Sequence, residues 1–217
     1  MLRVKGIIFD VDGTLANSVG FFYEIALEIL QLAGAPPVSR ERVLALMRVG
    51  DNAPLEKLFP EDFPDPGATL KRITDERMHE WMRRYHDETE AIPGSVELLH
   101  DLHGQGLQLG IATSSGRALP FLDRWGVRHL FKGIVGREDV ENRKPHPEPI
   151  LKCLEHLKLD PHEVVYIGDS IIDIRAGKAA GSPTIGVLTG TSPRDILHLE
   201  DPDHILESVA ELLHLLR

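Results

Sequence analysis

The stretch GIIFDVDGTL, residues 6–15, decides how this chain folds. Its apolar half predicts a buried strand of a parallel sheet, because parallel strands are covered on both faces. Asp10 and Asp12 follow at the carboxyl end, where open α/β sheets place their ligands. The two carboxylates repel each other unless one is protonated or a cation lies between them, and Mg²⁺ is a typical hard cation for oxygen ligands. A strand followed by an ordinary Asp-Gly turn remains the structural alternative.

Two further apolar runs end in polar residues of the same kind. Residues 109–112 lead into Thr113 and Ser114, and residues 164–167 lead into a Gly-Asp-Ser sequence that contains Asp169. If a helix opens at residue 170, Asp173 lies about one turn beyond Asp169 on the same side. Helix capping is the structural alternative for these hydroxyls and for Asp169.

A lysine completes the set. Lys144 stands on a predicted loop before a helix that starts near Pro147. A surface position is the common fate of a lysine, so its alternative is an ordinary exposed side chain. The order and chemistry of all four segments together favour a shared site over four unrelated turns and caps.

This ordered set resembles the motifs of the haloacid dehalogenase superfamily of phosphotransferases. The first motif is residues 10–14, the second Thr113, the third Lys144, and the fourth residues 168–170 with Asp173. The resemblance spans essentially the whole chain. Within the superfamily, the helical segment after the first motif is similar to the phosphoglycolate-phosphatase-like branch with a small helical cap.

The resemblance implies a role for each matched residue. Asp10 would be the nucleophile and Asp12 the general acid and base. The implied metal is Mg²⁺, and its expected site is formed by Asp10, Asp12 and Asp169, with Asp173 in support. The resemblance also implies a set of substrate-binding residues: Gly13, Arg48, Thr113, Ser114 and Lys144. Of these, Thr113 and Lys144 are expected to be catalytic as well.

The expected activity is hydrolysis of small phosphate monoesters through an aspartyl-phosphate, with a phosphoglycolate-like substrate. Asp12 favours this reading, because a poor alkoxide leaving group needs an acid. Three alternatives stay open: a sugar-phosphate mutase, a pyrophosphatase, and a non-catalytic phosphoacceptor or binding protein. The mutases carry a histidine ten residues after the position of Asp12, where this chain has Phe22, which cannot carry a proton.

The pattern along the chain predicts an α/β fold, a parallel Rossmann-like sheet flanked by helices with an inserted α-helical cap. Residues 1–16 and 89–217 would form the core, and residues 17–88 the cap. The spacing of apolar residues predicts helices over 20–33, 39–47 and 68–86, and a loop over 50–54, part of a candidate specificity loop. The same pattern predicts the first strand over residues 3–10 and an irregular, proline-rich stretch over residues 60–67. A cap can close over the strand ends and exclude water; a rigid second layer of helices is the alternative.

Composition limits the partners. The chain has 217 residues, a formal net charge of −10 and a single cysteine. This charge argues against nucleic acid as a partner, and one cysteine cannot form an internal disulfide. No apolar stretch is long enough for a signal peptide or a membrane span, so a cytoplasmic location without membrane contact is expected. The expected partner is a small-molecule phosphate ester, for a monomer or homodimer.

Overall fold

A computed structural model of the protein describes residues 3–49 and 55–216. Its centre is a sheet of six parallel strands in the order β3-β2-β1-β4-β5-β6. The strands are β1 (Gly6–Phe9), β2 (Gln108–Ala112), β3 (Phe131–Val135), β4 (Val164–Gly168), β5 (Thr184–Val187) and β6 (His204–Leu206). The predicted fold class, with its parallel Rossmann-like sheet, is confirmed.

Strand β1 lies in the middle of the sheet because both of its faces are apolar. Ile7 and Phe9 pack into a core cluster on one side, and Ile8 packs into a second cluster on the other. All three side chains are fully buried. The polar residues that follow β1 are therefore flanked by the ends of β2 and β4.

Eight α-helices surround or extend this sheet in the described part of the chain. Three of them lie in the segment inserted directly after β1: α1 (Val19–Leu32), α2 (Arg40–Met47) and α3 (Pro66–Glu88). The others are α4 (Ser95–Gly104), α5 (Pro120–Arg124), α6 (Glu148–Leu157), α7 (Ile171–Ala180) and α8 (Arg194–His198). Short 3₁₀ helices include Leu55–Leu58 and Val209–Leu215. No helix among the described residues is both long enough and apolar enough to cross a bilayer.

The helices of the segment inserted after β1, from α1 to α3, have an apolar core of their own. Residues from α1, α2, the Leu55–Leu58 helix and α3 bury side chains against one another, including Ile29, Val43 and Trp81. The two connections to the sheet run side by side: the amide of Asn17 donates to the Glu90 carbonyl at 2.9 Å, and that of Ile92 donates to the Leu15 carbonyl at 2.8 Å. We call this inserted segment, residues 17–88, the cap.

Several boundaries differ from the predicted ones. The first strand covers Gly6–Phe9 and not the whole of residues 3–10. The long helix begins at Pro66, inside a stretch predicted to be irregular, because Asp65 adopts a left-handed φ of 43° and accepts a hydrogen bond from the Ala68 amide. Thr113 and Ser114 cap no α-helix, since α5 begins only at Pro120. The loop predicted over residues 50–54 lies outside the described residues.

Candidate active site

The carboxyl ends of β1, β2 and β4 bring the polar residues of three distant segments to one edge of the sheet. Asp10 follows β1, Thr113 follows β2 and Asp169 follows β4. These three side chains are nearly inaccessible to solvent. The order of the strands, and not any closeness in sequence, assembles this site.

Lys144 lies between two carboxylates. Its Nζ donates to Oδ1 of Asp10 and to Oδ1 of Asp173, both at 2.6 Å, and to the Tyr166 hydroxyl at 3.1 Å. The lysine side chain is only 2% exposed, so this ammonium group is desolvated and depends on its partners. The alternative of an ordinary surface lysine is excluded by this burial.

Burial and the ion pair between Lys144 and Asp10 have opposing effects on the pKa of each partner. Burial would lower the pKa of Lys144, but Asp10 and Asp173 outweigh it and hold that pKa well above its usual value. Burial raises the pKa of Asp10 well above its usual range, with the neighbouring carboxylates adding to the rise and Lys144 opposing it. A cation next to Asp10 would favour its ionised, nucleophilic form.

Three buried carboxylates can hold such a cation. Oxygen atoms of Asp10, Asp169 and Asp173 lie within 4.8 Å of one another. Both oxygens of Asp173 are already engaged, Oδ1 by Lys144 and Tyr166 and Oδ2 by the amide and hydroxyl of Ser170. Asp10 and Asp169 each bind protein donors through one oxygen only, among the residues that the structure describes. The donor set therefore fits a hard divalent ion held by Asp10 and Asp169, with Asp173 orienting Lys144.

Asp169 is fixed by the loop after β5. Its Oδ2 accepts hydrogen bonds from the Thr191 amide at 2.6 Å and from the Thr191 hydroxyl at 2.9 Å. The loop can approach this closely because residue 190 is glycine; a Cβ atom there would overlap the Asp169 side chain. Burial raises the pKa of Asp169 to about 7, and Asp173 adds to the rise.

Three hydroxyl groups orient Asp12. Its Oδ1 accepts from Ser18 at 2.6 Å and from Tyr85 at 2.8 Å, and its Oδ2 accepts from Ser115 at 2.6 Å. Ser18 occupies the N-cap position of α1 but makes no capping hydrogen bond, and its hydroxyl donates to Asp12. Burial raises the pKa of Tyr85 well above its usual value, so its hydroxyl remains a donor. Ser18 and Tyr85 belong to the cap and Ser115 to the sheet, so both parts of the molecule position this aspartate.

A cavity of about 420 Å³ opens onto these groups. On the sheet side, its walls include Asp10, Asp12, Lys144 and Asp169. On the cap side, its walls come from α1, α2 and the Leu55–Leu58 helix. The site is therefore enclosed between the sheet edge and the cap.

The structure places most predicted site residues here. Ser114 lines the cavity, while Thr113 and Gly13 lie beside it; the Thr113 hydroxyl accepts from the Ser115 amide at 3.0 Å, and Gly13 has a φ of 81°. Arg48 does not line the cavity. Its guanidinium donates to the Thr191 carbonyl at 2.5 Å and to Glu41 at 2.8 Å, so Arg48 connects the cap to the loop after β5, and its contact with substrate stays a prediction.

Several polar residues that hold or line the site were not predicted as site residues from the sequence: Ser18, Tyr85, Ser115, Arg137, Tyr166 and Thr191. Ser115 adjoins Ser114 at the end of β2, which is the one signal that could have found it. Tyr85 lies within a helical apolar pattern typical of a packing residue. Arg137 lines the cavity, is exposed, and makes no side-chain hydrogen bond or ion pair within residues 3–49 and 55–216.

Comparison with known proteins gives a consistent result. The family model for haloacid dehalogenase-like hydrolases matches residues 7–187. The chain is 30% identical to the phosphoglycolate phosphatase of Salmonella typhi, over 97% of this chain and 92% of that protein. Among solved structures, the crystal structure of a predicted phosphoglycolate phosphatase from Haemophilus somnus 129pt has a TM-score of 0.85 to this chain. The two sequences are 25% identical, and 99% of each chain is covered.

A third comparison concerns the mutase alternative. The crystal structure of a protein from Thermotoga maritima named putative β-phosphoglucomutase has a TM-score of 0.75, with 98% of each chain covered. At 24% identity this likeness shows the fold alone.

Proposed function

The chain belongs to the haloacid dehalogenase-like hydrolases, and from that membership we propose that it is a Mg²⁺-dependent phosphatase of small phosphate monoesters. The observation that carries the proposal is the buried arrangement in which Lys144 contacts Asp10 while Asp12, two residues on, faces the same cavity. A nucleophile and an acid on one strand end are what ester hydrolysis requires. The relatives' names make phosphoglycolate the first substrate to test.

In the proposed reaction an oxygen of Asp10 attacks phosphorus, and the bond between phosphorus and the ester oxygen breaks. Asp12 gives its proton to the departing alkoxide and later removes a proton from water. That water attacks phosphorus, the bond to Asp10 breaks, and inorganic phosphate leaves. Ser18, Tyr85 and Ser115 hold Asp12 in place for both proton transfers.

The remaining residues of the site manage negative charge. A metal ion held by Asp10, Asp169 and the backbone carbonyl of Asp12 would supply charge neutralisation for the phosphate. Lys144 offsets the charge of Asp10, and its point-like ammonium suits contact with phosphate oxygens. Thr113, Ser114 and the backbone amides near Gly13 receive phosphate oxygens, since positioning and charge stabilisation dominate phosphoryl transfer.

A mutase would need a group that this chain lacks at the corresponding position, and a binding protein would leave groups of the site without a function. A mutase would need a proton carrier in the cap, and Phe22 occupies the corresponding position. A non-catalytic phosphoacceptor needs neither Asp12 nor a cap over its aspartate. A pyrophosphatase stays a substrate alternative. We also propose that residues 17–88 act as the lid of the site, with residues 1–16 and 89–217 as the core.

The test is release of inorganic phosphate from p-nitrophenyl phosphate, phosphoglycolate and pyrophosphate, with Mg²⁺ and with EDTA. Ester hydrolysis that requires Mg²⁺ is expected. Well-folded protein with equal, negligible rates in both conditions would instead favour the binding function. Faster turnover of pyrophosphate than of either ester would replace the monoester phosphatase by a pyrophosphatase.

A further inference from the structure

The described cap residues that line the cavity are all apolar, and they face the carboxylates at the edge of the sheet. Within residues 3–49 and 55–216, eleven apolar residues line the cavity: Val19, Phe22, Ile25, Ala26, Ile29, Val43, Leu46, Met47, Leu55, Leu58 and Ile172. All but Ile172, from α7, belong to the cap. The volume of about 420 Å³ falls in the range of small-molecule sites, about 300–1,000 Å³.

Three arginines of the cap do not line the cavity and bind other groups of the protein. Arg77 pairs with Glu28 at 2.7 Å, and Arg84 pairs with Glu24 at 3.1 Å, both within the cap. Arg48 binds the Thr191 carbonyl and Glu41. Among the described lining residues, no lysine, arginine or histidine comes from the cap. A leaving group that carries a carboxylate would therefore meet apolar carbon on this side, which desolvates the charge without compensation.

The side of the cavity opposite the cap carries the charged residues, so it is the side that suits the polar end of a substrate. The charged lining residues in the part of the chain that the structure describes are Asp10, Asp12, Lys144, Asp169, Asp173 and Arg137, all outside the cap. Lys144 is already shared between two carboxylates, and Arg137 lies at the exposed rim. A substrate that fits both surfaces has a phosphate at one end and uncharged carbon at the other.

We infer that this cavity selects phosphate monoesters with an apolar leaving group, alkyl or aryl, over esters with an anionic leaving group such as phosphoglycolate. The inference rests on the proposed phosphatase function and narrows its substrate class. It departs from the substrate in the relatives' names, because the surface that contacts the leaving group in this chain offers carbon and not charge.

The experiment compares n-alkyl phosphates from ethyl to hexyl, together with phosphoglycolate, by kcat/KM with saturating Mg²⁺. Alkyl alcohols of these lengths have similar acidity, so the series separates contact with the wall from leaving-group activation. Each buried methylene is expected to raise kcat/KM about fourfold until the space is filled. Hexyl phosphate should exceed ethyl phosphate and phosphoglycolate by at least about tenfold.

Variants then test the wall itself. Met47→Gln keeps the length of the side chain but places an amide on the cavity surface, and it should flatten the increase with chain length. Met78→Gln is the matched control, because Met78 is 41% exposed on α3 and does not line the cavity. It should keep the full increase. Equal thermal denaturation of both variants and the unmodified protein ensures that the comparison reports binding.

The outcomes separate the two proposals. If no ester is hydrolysed, the phosphatase function itself is wrong. If every ester is hydrolysed with the same kcat/KM, or if phosphoglycolate is preferred and Arg137→Gln removes that preference, the phosphatase stands and the inferred selectivity is wrong. An increase with chain length that Met47→Gln leaves unchanged would also overturn the assignment to this wall.

Discussion

At the scale of single residues, Asp10 combines deep burial with an ion pair to Lys144. Asp10→Asn keeps the volume of the side chain but removes the charge that attacks phosphorus. Turnover of p-nitrophenyl phosphate is expected to fall by at least about a thousandfold, while the protein stays folded. The measurement is steady-state kinetics together with circular dichroism. Substantial residual activity in folded protein would remove Asp10 from the nucleophile role.

Tyr85 offers a second test at this scale, because its hydroxyl donates to Asp12 across the cavity. Tyr85→Phe removes one hydrogen bond to a carboxylate and should lower kcat about tenfold with little change in KM. Tyr23→Phe is the control, since Tyr23 lies on the neighbouring helix α1 and no hydrogen bond of its hydroxyl connects it to Asp12. An unchanged kcat in Tyr85→Phe would show that Ser18 and Ser115 suffice to orient Asp12.

The residues of the site differ in whether the sequence alone could identify them. Asp10, Asp12, Thr113, Lys144, Asp169 and Asp173 form short ordered motifs at predicted strand and loop positions, and the structure brings them to one edge of the sheet. Tyr85 and Thr191 reach Asp12 and Asp169 through tertiary packing, with no local pattern to mark them. Arg48 was predicted to contact the substrate, and nothing in the sequence indicated that the closeness of α2 to the loop of Thr191 would give it a carbonyl partner.

At the scale of elements, one connection links the cap to the proposed metal site. Arg48, at the end of α2, binds the carbonyl of Thr191, whose amide and hydroxyl hold Asp169. Groups that orient metal ligands typically contribute tenfold or more to affinity or activity. Arg48→Met should therefore raise the Mg²⁺ concentration for half-maximal activity by about tenfold.

Arg42→Met provides the matched control for that variant. Arg42 lies on the same helix, and its guanidinium donates to the Lys57 carbonyl inside the cap. Its Mg²⁺ dependence should equal that of the unmodified protein. The same dependence in Arg48→Met would mean that the loop of Thr191 holds Asp169 without help from the cap.

The elements themselves were largely predictable, and their ends were not. The apolar spacing of residues 20–33 and 39–47 predicted two helices that the structure has at Val19–Leu32 and Arg40–Met47, with Ser39 accepting the capping hydrogen bond. The long helix starts earlier than predicted because a single left-handed residue, Asp65, turns the chain into it. Such a conformation depends on one backbone angle, which periodicity does not report.

At the scale of the whole molecule, the acidic cluster links metal binding, pH and stability. Asp169 has a pKa of about 7 when folded and 3.8 as its ordinary value, so between these pH values the folded protein binds a proton that the unfolded chain does not. That contribution to stability is lost as pH rises through about 7. Mg²⁺ competes with the same proton, so its affinity should rise about tenfold between pH 6 and pH 8.

The measurement is thermal denaturation with and without saturating Mg²⁺. For a protein of this size, the tenfold change in affinity corresponds to an Mg²⁺-induced rise in Tm that is about 3–5 °C larger at pH 8 than at pH 6. Asp169→Asn should remove this difference between the two pH values. An equal rise at both values in the unmodified protein would contradict the linkage to Asp169.

The paired connections between β1 and the helices have a consequence for protein engineering. Ala16 and Ala91 face each other in an antiparallel bridge, so the inserted helices leave and re-enter the sheet domain at neighbouring points, as the arms of a hairpin do. A segment attached in this way resembles a removable cassette. Exchanging it for the corresponding helices of another relative would retarget the enzyme while leaving its reactive carboxylates in their own framework.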